Sequence, residues 1–435
     1  MNLRMIRQHE ISGSFYAPKW DIVSLSIDMT YLYKLPVTTI RVLGVGACAL
    51  GIWQSWTLAR AGFLFDQDTE ASVRAAIREV PDAWPYYMRL AQFDQPDAGP
   101  LLTKALELNR YDAQAHIELA LQYEADGQYA EAENQLLSAF SIDRTYVPRW
   151  SLANFYLRRD NLPAFWQWAR SAAAIPPEDI SPLFELCWRV SPDPQTISTN
   201  LLDGNPETLR QFIEFLLVKG QVNQAGLLAP RLVRTGSEIA DRSLILTIVD
   251  RLIASNDQAP AVALWHALIV QHWIDADLSA PNNPRFAREP LPVGFDWTLP
   301  EETGLHSWPG SSGLETEFSG VQPDEATVAD QVLALGPGSY TVTYSYRTAD
   351  VAPDTGLHWQ MIDPSSGLVL AESADLSSEA SVKSAFQASI PADTPFVRLR
   401  LLYHRALGTP RIKGTLRIEW VRIEASHNDS LSKLR

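Results

Sequence analysis

"HIELALQYEADGQYAEAENQLLSAF", residues 116–140, decides how this chain is read. Leu119 and Tyr123 precede a break at Gly127, and Ala132, Leu136 and Ala139 follow it. On each side the apolar residues recur every three or four positions, which predicts two helices with one apolar stripe each. Gly127 suits a left-handed cap between them. A single hairpin of this kind cannot cover its own stripe, so several must stack. Nothing in the stretch looks catalytic; its residue types encode packing.

The pattern repeats. Ala105 in "LLTKALELNR" returns as Ala139 in "LLSAFSIDR", 34 residues on (139 − 105). Residues 118–140 then return as "SLANFYLRRDNLPAFWQWARSAA", residues 151–173, 33 further on (151 − 118). Leu119 and Ala120 correspond to Leu152 and Ala153, Tyr123 to Tyr156, Tyr129 to Leu162, and Ala139 to Ala172.

On these residues the chain resembles the tetratricopeptide repeat family, whose unit is a helical hairpin of about 34 residues. The second unit matches at Leu119, Ala120, Tyr123, Gly127, Tyr129, Ala132 and Ala139. The third matches at Leu152, Ala153, Tyr156 and Ala172, with Asp160 where the turn glycine belongs and Phe165 where alanine is usual. The first is contracted, since Ala105 follows Leu90–Ala91 too soon. A fourth, "FIEFLLVKGQVNQAGLLAPRL", keeps Gly220 and Ala225, and "LIASNDQAPAVALWHAL" is a weak fifth. The resemblance implies a helical-repeat domain over residues 63–278 that binds protein partners along its grooves. Trp150, Tyr156, Trp166 and Trp168 read as packing between repeats, and Cys187 as an inert buried thiol.

Of the 435 residues, 46% are hydrophobic and 20% charged, an ordinary folded composition. The net charge of −15 argues against nucleic acid as a partner. Between Arg41 and Arg60 lies "VLGVGACALGIWQSWTLA", without a charge. Eighteen such residues rise about 27 Å, close to a bilayer core of roughly 30 Å. Trp53 and Trp56 suit an interface, and Arg41 can snorkel. The expectation is a cytoplasmic tail over 1–35 and a transmembrane helix over 36–62. The body then lies in the periplasm, on a single-pass protein of the inner membrane. "VGAC" before Ala49 resembles a lipoprotein box, a reading that a start at Met29 would favour. Because the apolar run continues past Cys48, that cysteine is read as a packing residue.

After residue 275 the texture changes. Pro281, Pro284, Pro290 and Pro292 end the helical pattern, and alternation of period two begins. Tyr340, Val342, Tyr344 and Tyr346 share one face of "YTVTYSYRT"; Val397, Leu399, Leu401 and Tyr403 share one face of "FVRLRLLYHR". A phase switch at Trp420–Val421 predicts a bulge. The fold class expected is therefore multidomain, α then β: an N-terminal transmembrane helix, an α-solenoid resembling tetratricopeptide repeats, and an antiparallel β-sandwich of jelly-roll type over 285–425. Residues 426–435 are expected to be a disordered tail. The order of strands resembles carbohydrate-binding-module sandwiches, which implies Trp359, Tyr403 and His404 as candidate glycan contacts. Against that, Trp359 and Tyr403 fall on the core-facing sides of their strands.

Chemistry is sparse. His266 and His272 match no zinc spacing, and no phosphate loop or nucleophile elbow is present. Glu315 and Glu317 share a strand face, as a glycosidase pair would, although solvated acids are commoner. Asp296 and Asp350 are weak calcium candidates with no ligand-spaced loop. No cofactor, metal or catalytic residue is expected. The order of parts resembles membrane-anchored assembly proteins of bacterial envelopes, several of which serve exopolysaccharide or O-antigen synthesis and export. The resemblance implies a non-enzymatic scaffold that binds protein partners through its solenoid and glycan or another protein through its sandwich. The alternatives are a carbohydrate-active hydrolase and a structural tether.

Overall fold

The uncharged run lies within one long helix, α1 (Val37–Asp66), in the computed structural model, which describes residues 37–93, 97–202, 204–277 and 280–426. At 1.5 Å per residue its 30 residues span about 45 Å. It is long and apolar enough to cross a membrane, and its apolar window is 0% buried, with Val42, Leu43, Val45, Leu50, Ile52, Trp53 and Trp56 all at least 60% exposed. The expected tail 1–35, and the expected tail 426–435 beyond Ser426, lie outside the described residues; the Ser426 amide donates to the Ser339 carbonyl at 2.8 Å.

Thirteen more helices follow among the described residues: α2 (Glu70–Glu79), α3 (Trp84–Phe93), α4 (Ala98–Leu108), α5 (Ala113–Ala125), α6 (Tyr129–Ile142), α7 (Tyr146–Arg158), α8 (Leu162–Ala173), α9 (Ser181–Val190), α10 (Pro194–Leu201), α11 (Pro206–Val218), α12 (Val222–Thr235), α13 (Glu238–Ala254) and α14 (Gln258–Val270). The chain divides into two compact units at Ala132, inside α6. In the first, Met88, Ala91, Leu102, Ala105, Ala115 and Leu119 form a small apolar core.

Five helices close with one device. A residue in the left-handed region follows the helix, and the next amide reaches back five residues to a carbonyl. The amides of Gln128, Asn161, Gln221, Asp257 and Trp273 donate to the carbonyls of Tyr123, Tyr156, Leu216, Leu252 and Leu268 at 2.8–2.9 Å. The left-handed residues are Gly127, Asp160, Gly220, Asn256 and His272. Asp160 thus holds the glycine's conformation (φ 55°), so the missing glycine does not cost the turn.

The second unit joins α7–α14 to nine strands through one apolar cluster, which runs from Ala153 to Phe396. Ala153, Ala169, Ala172, Ala225, Ala229 and Ala261 are fully buried, where small side chains let helix axes approach. The pair α9–α10 is a hairpin that the repeat pattern does not reveal. Its helices have only 10 and 8 residues. Arg170 of α8 donates to the carbonyls of Thr199 and Asn200 at the α10 C-terminus, the end that favours a cation. Trp150, Tyr156, Trp166 and Trp168 pack half-buried on the cluster. Burial pushes up the thiol of Cys187 first of all, leaving it inert.

The strands are β1 (Leu305–Gly310), β2 (Gly313–Ser319), β3 (Glu325–Leu333), β4 (Gly338–Ala349), β5 (Leu357–Ile362), β6 (Val369–Glu372), β7 (Val382–Ile390), β8 (Val397–His404) and β9 (Lys413–Ala425). They form antiparallel sheets ordered β1-β2-β9-β4-β7 and β3-β8-β5-β6. The expected faces of β4 and β8 meet in the core, where Val342, Tyr344, Tyr346, Val397, Leu399, Leu401 and Tyr403 are buried. The bulge falls one residue earlier than the phase switch suggests: Ser345 pairs with Trp420 and Tyr346 with Ile418, leaving Glu419 extra. Its carboxylate accepts from the hydroxyls of Ser345 and Ser381, which hold it below the usual range.

Candidate functional site

The outer face of the β3-β8-β5-β6 sheet gathers polar side chains from strands far apart in sequence. Alternation on β8 sends Leu399 and Leu401 inward and Arg398 and Arg400 outward. Arg400 Nε donates to Gln360 Oε1 at 2.6 Å, and Gln360 Nε2 donates to Glu372 Oε1 at 2.5 Å. His358 Nε2 lies 3.8 Å from the same Glu372 oxygen. On the other side, Arg398 Nη1 stands 3.4 Å from Asp330 Oδ2. Burial pushes the Asp330 carboxyl up, against the pull of Arg398 and Arg400. Arg398 Nε is buried without a hydrogen-bond partner among the described residues. Between these groups lies a hollow of about 230 Å³, lined by Thr327, Asp330, Ile362, Pro364, Arg398 and Arg400. Two guanidinium forks beside a hydroxyl and a carboxyl are suited to a ligand rich in hydroxyl or acidic oxygens.

The sequence-derived glycan contacts are not together. Trp359 and Tyr403 are 0% exposed. Trp359 packs on Trp297 and Tyr344 at 6.1 and 6.0 Å between ring centres, and the Tyr403 hydroxyl accepts from the Ile412 amide. Their rings hold the sheets together. His404 is exposed at the end of β8, 3.6 Å from Glu325. Sequence reasoning missed Arg398, Arg400 and Asp330 as a group; the signal was two arginines alternating with leucines.

Other candidates have structural partners. Glu315 pairs with Arg417 at 2.5 Å across the β2–β9 ladder, apart from the exposed Glu317. Asp296 is buried against Arg288 at 2.5 Å and accepts from the amides of Leu291 and Trp297. Asp350 occupies a left-handed turn position. His266 and His272 are exposed, and no group of three metal-ligating side chains occurs among the described residues.

Among the repeat residues, Leu119, Ala120, Ala132, Ala139, Leu152, Ala153, Ala172 and Ala225 are buried, Tyr123 is half-buried, and Tyr129 is exposed. Tyr156 is half-buried; its hydroxyl donates to Glu133 at 2.6 Å, and burial, then that carboxylate, pushes it up to about 12. The chain is similar to tetratricopeptide proteins in its helices and to carbohydrate-binding modules in its strands. One similar structure, "CBM4 structure and function", is 12% identical with a TM-score of 0.27, covering 34% of this chain and 99% of that one. The tetratricopeptide protein YrrB, described with an unusual peptide-binding site, is 15% identical with a TM-score of 0.23 over 47% and 93%. The tetratricopeptide protein TTC0263 of Thermus thermophilus is 20% identical with a TM-score of 0.26 over 34% and 94%. No family model and no curated protein matches the chain.

Proposed function

We propose that this chain is a non-enzymatic scaffold anchored in the inner membrane by α1, with its body in the periplasm. Its helical hairpins collect protein partners, and its sandwich engages glycan through the Arg398–Arg400 face. The setting is exopolysaccharide or O-antigen synthesis and export. One observation carries the anchoring: an apolar helix of membrane-spanning length that buries none of its apolar window. The candidate sugar-cleaving pair adds no support for a hydrolase, because Glu315 is engaged by Arg417.

Two experiments test the reading. The full chain should stay in the membrane pellet through alkaline carbonate extraction, and deletion of residues 37–66 should release it; a full chain found in the supernatant would end the anchoring claim. In native gels cast with an acidic polysaccharide the full chain should be retarded. Arg398→Ala with Arg400→Ala should restore free migration. Unchanged retardation in the double variant would refute this face as the glycan site.

A further inference from the structure

The last helix, α14, is apolar on two sides. Ala261, Leu264, Trp265 and Leu268 are buried in the shared core. Ala259, Val262, Ala263 and His266, at helical spacing on another stripe, are exposed and line a groove of about 620 Å³. Trp265, Phe295, Val332, Leu333 and Ala334 complete its apolar lining. The far wall is the end of β3, the outermost strand of its sheet. On that outer side, among the described residues, the single bridge from Thr298 to Asp330 is the only backbone pairing of β3. The stretch of strand that enters the groove has no strand beside it there.

A second, independent feature lies in the same wall. Asn282 lines the groove and is 2% exposed. Its Oδ1 accepts from the Asp277 amide at 2.8 Å and from Arg288 Nη2 at 3.1 Å. Turning the side-chain amide over would face its NH₂ toward two donors, so its orientation is fixed. Gln331 clamps the Asn282 main chain from β3, donating to its carbonyl and accepting from its amide at 3.1 Å each. Asn282 Nδ2 is left buried with no partner among the described residues. A held, desolvated donor on a residue that lines a groove lacks an acceptor among the described residues.

We propose that this groove binds an extended, apolar peptide segment of a partner protein, one of whose main-chain carbonyls accepts from Asn282 Nδ2. Its apolar side chains pack between the α14 stripe and the end of β3. A peptide presents a carbonyl at every residue, about 3.3 Å apart, and suits an unpaired strand edge. The apolar lining gives little to pair with the hydroxyls of a sugar, and the exposed Asp277 at the rim disfavours an acidic segment. The groove is distinct from the Arg398–Arg400 face, and its occupant does not depend on whether that face takes glycan.

The test uses the full chain in lipid nanodiscs, with a panel of fluorescent synthetic peptides of graded apolar content read by anisotropy. Apolar, uncharged peptides should bind best. Val262→Glu, at an exposed position, and Asn282→Asp, which keeps both Oδ1 contacts and replaces the donor with an acceptor, should each weaken binding about tenfold or more. Arg398→Ala should leave it unchanged, which separates this site from the glycan face. Near-ultraviolet circular dichroism checks that each variant is folded; if Asn282→Asp is not, Val262→Glu decides alone. Equal binding by Val262→Glu, a panel without apolar preference, or displacement of the peptides by dodecanoate or a cello-oligosaccharide would overturn the proposal.

Discussion

In the helices, each of five turns is closed by a hydrogen bond between residues five apart, such as Asn161 to Tyr156. In the sandwich, the ladders join residues up to 104 positions apart (418 − 314), as between Leu314 and Ile418. The difference shows what each region tolerates. A locally closed hairpin needs a small set of side chains at fixed spacing, and it accepts Asp160 where Gly127 stands one unit earlier. A sandwich depends on many strands arriving together, and its interior is filled by large rings, including Trp297, Trp359, Tyr344 and Tyr403. The two meet in the second unit, where Val332 and Phe396 join the apolar cluster of α13 and α14.

That meeting gives the largest expected effects. Phe165→Ala in the helices and Trp359→Ala in the sandwich each empty a fully buried site and should cost about 3–5 kcal/mol. Because the helical cluster reaches into the strand region at Phe295, Val332 and Phe396, against the sandwich core that holds Trp359, calorimetry should show both substitutions lowering one common transition. Two transitions, each moved by only one substitution, would break the comparison by making the regions independent.

The junction itself is the next target. Gly294 adopts φ 62°, its amide donates to Asp250 Oδ1 at 2.8 Å, and a Cβ there would stand 2.6 Å from the Trp265 ring. Gly294→Ala combines left-handed strain with overpacking and should cost about 2–4 kcal/mol in urea unfolding. A loss below about 1 kcal/mol would mean that the α13–α14 hairpin and the strand region are less tightly joined than this close approach implies.

A smaller effect is set by pH. Tyr156 is neutral and bonded to Glu133, with its folded pKa raised to about 12 by burial first and the carboxylate second. Its contribution to stability is therefore full below about pH 10, the unfolded phenol's value, and is lost as pH rises from there toward 12. Tyr156→Phe should cost about 1 kcal/mol at neutral pH and flatten that alkaline loss. An ultraviolet titration in which every tyrosine ionises at its ordinary value would contradict the contact.

The smallest effects compare the turns directly. Gly127→Ala should cost about 1 kcal/mol, since its added Cβ meets no neighbour and only the backbone is strained. Asp160→Gly should stabilise by up to about 1 kcal/mol by removing that strain. Opposite signs in thermal unfolding would confirm that one conformation is imposed on two residue types; the same sign would refute it.

The helices were legible in sequence because their code is local. Leu119, Ala120, Tyr123 and Gly127 announce a hairpin within ten positions, whereas α9–α10 is too short to show a period. Strand faces such as Tyr340–Tyr346 were legible for the same reason. The Arg400–Gln360–Glu372 chain was not, because three strands brought together by folding create it. The groove beside α14 was hidden for another reason: a helix apolar on two sides reads as buried on both. The candidate pair Glu315 and Glu317 shows the converse, a spacing that suggests chemistry until Arg417 occupies one member.

Hydrogen exchange resolved to single amides tests the hairpin claim most directly. The amides of Asn161 and Asp257, which follow the non-glycine turn residues Asp160 and Asn256, should exchange as slowly as those of Gln128 and Gln221. Exchange of Asn161 and Asp257 at the rate of free peptide, with Gln128 and Gln221 protected, would contradict a common closure for the repeats.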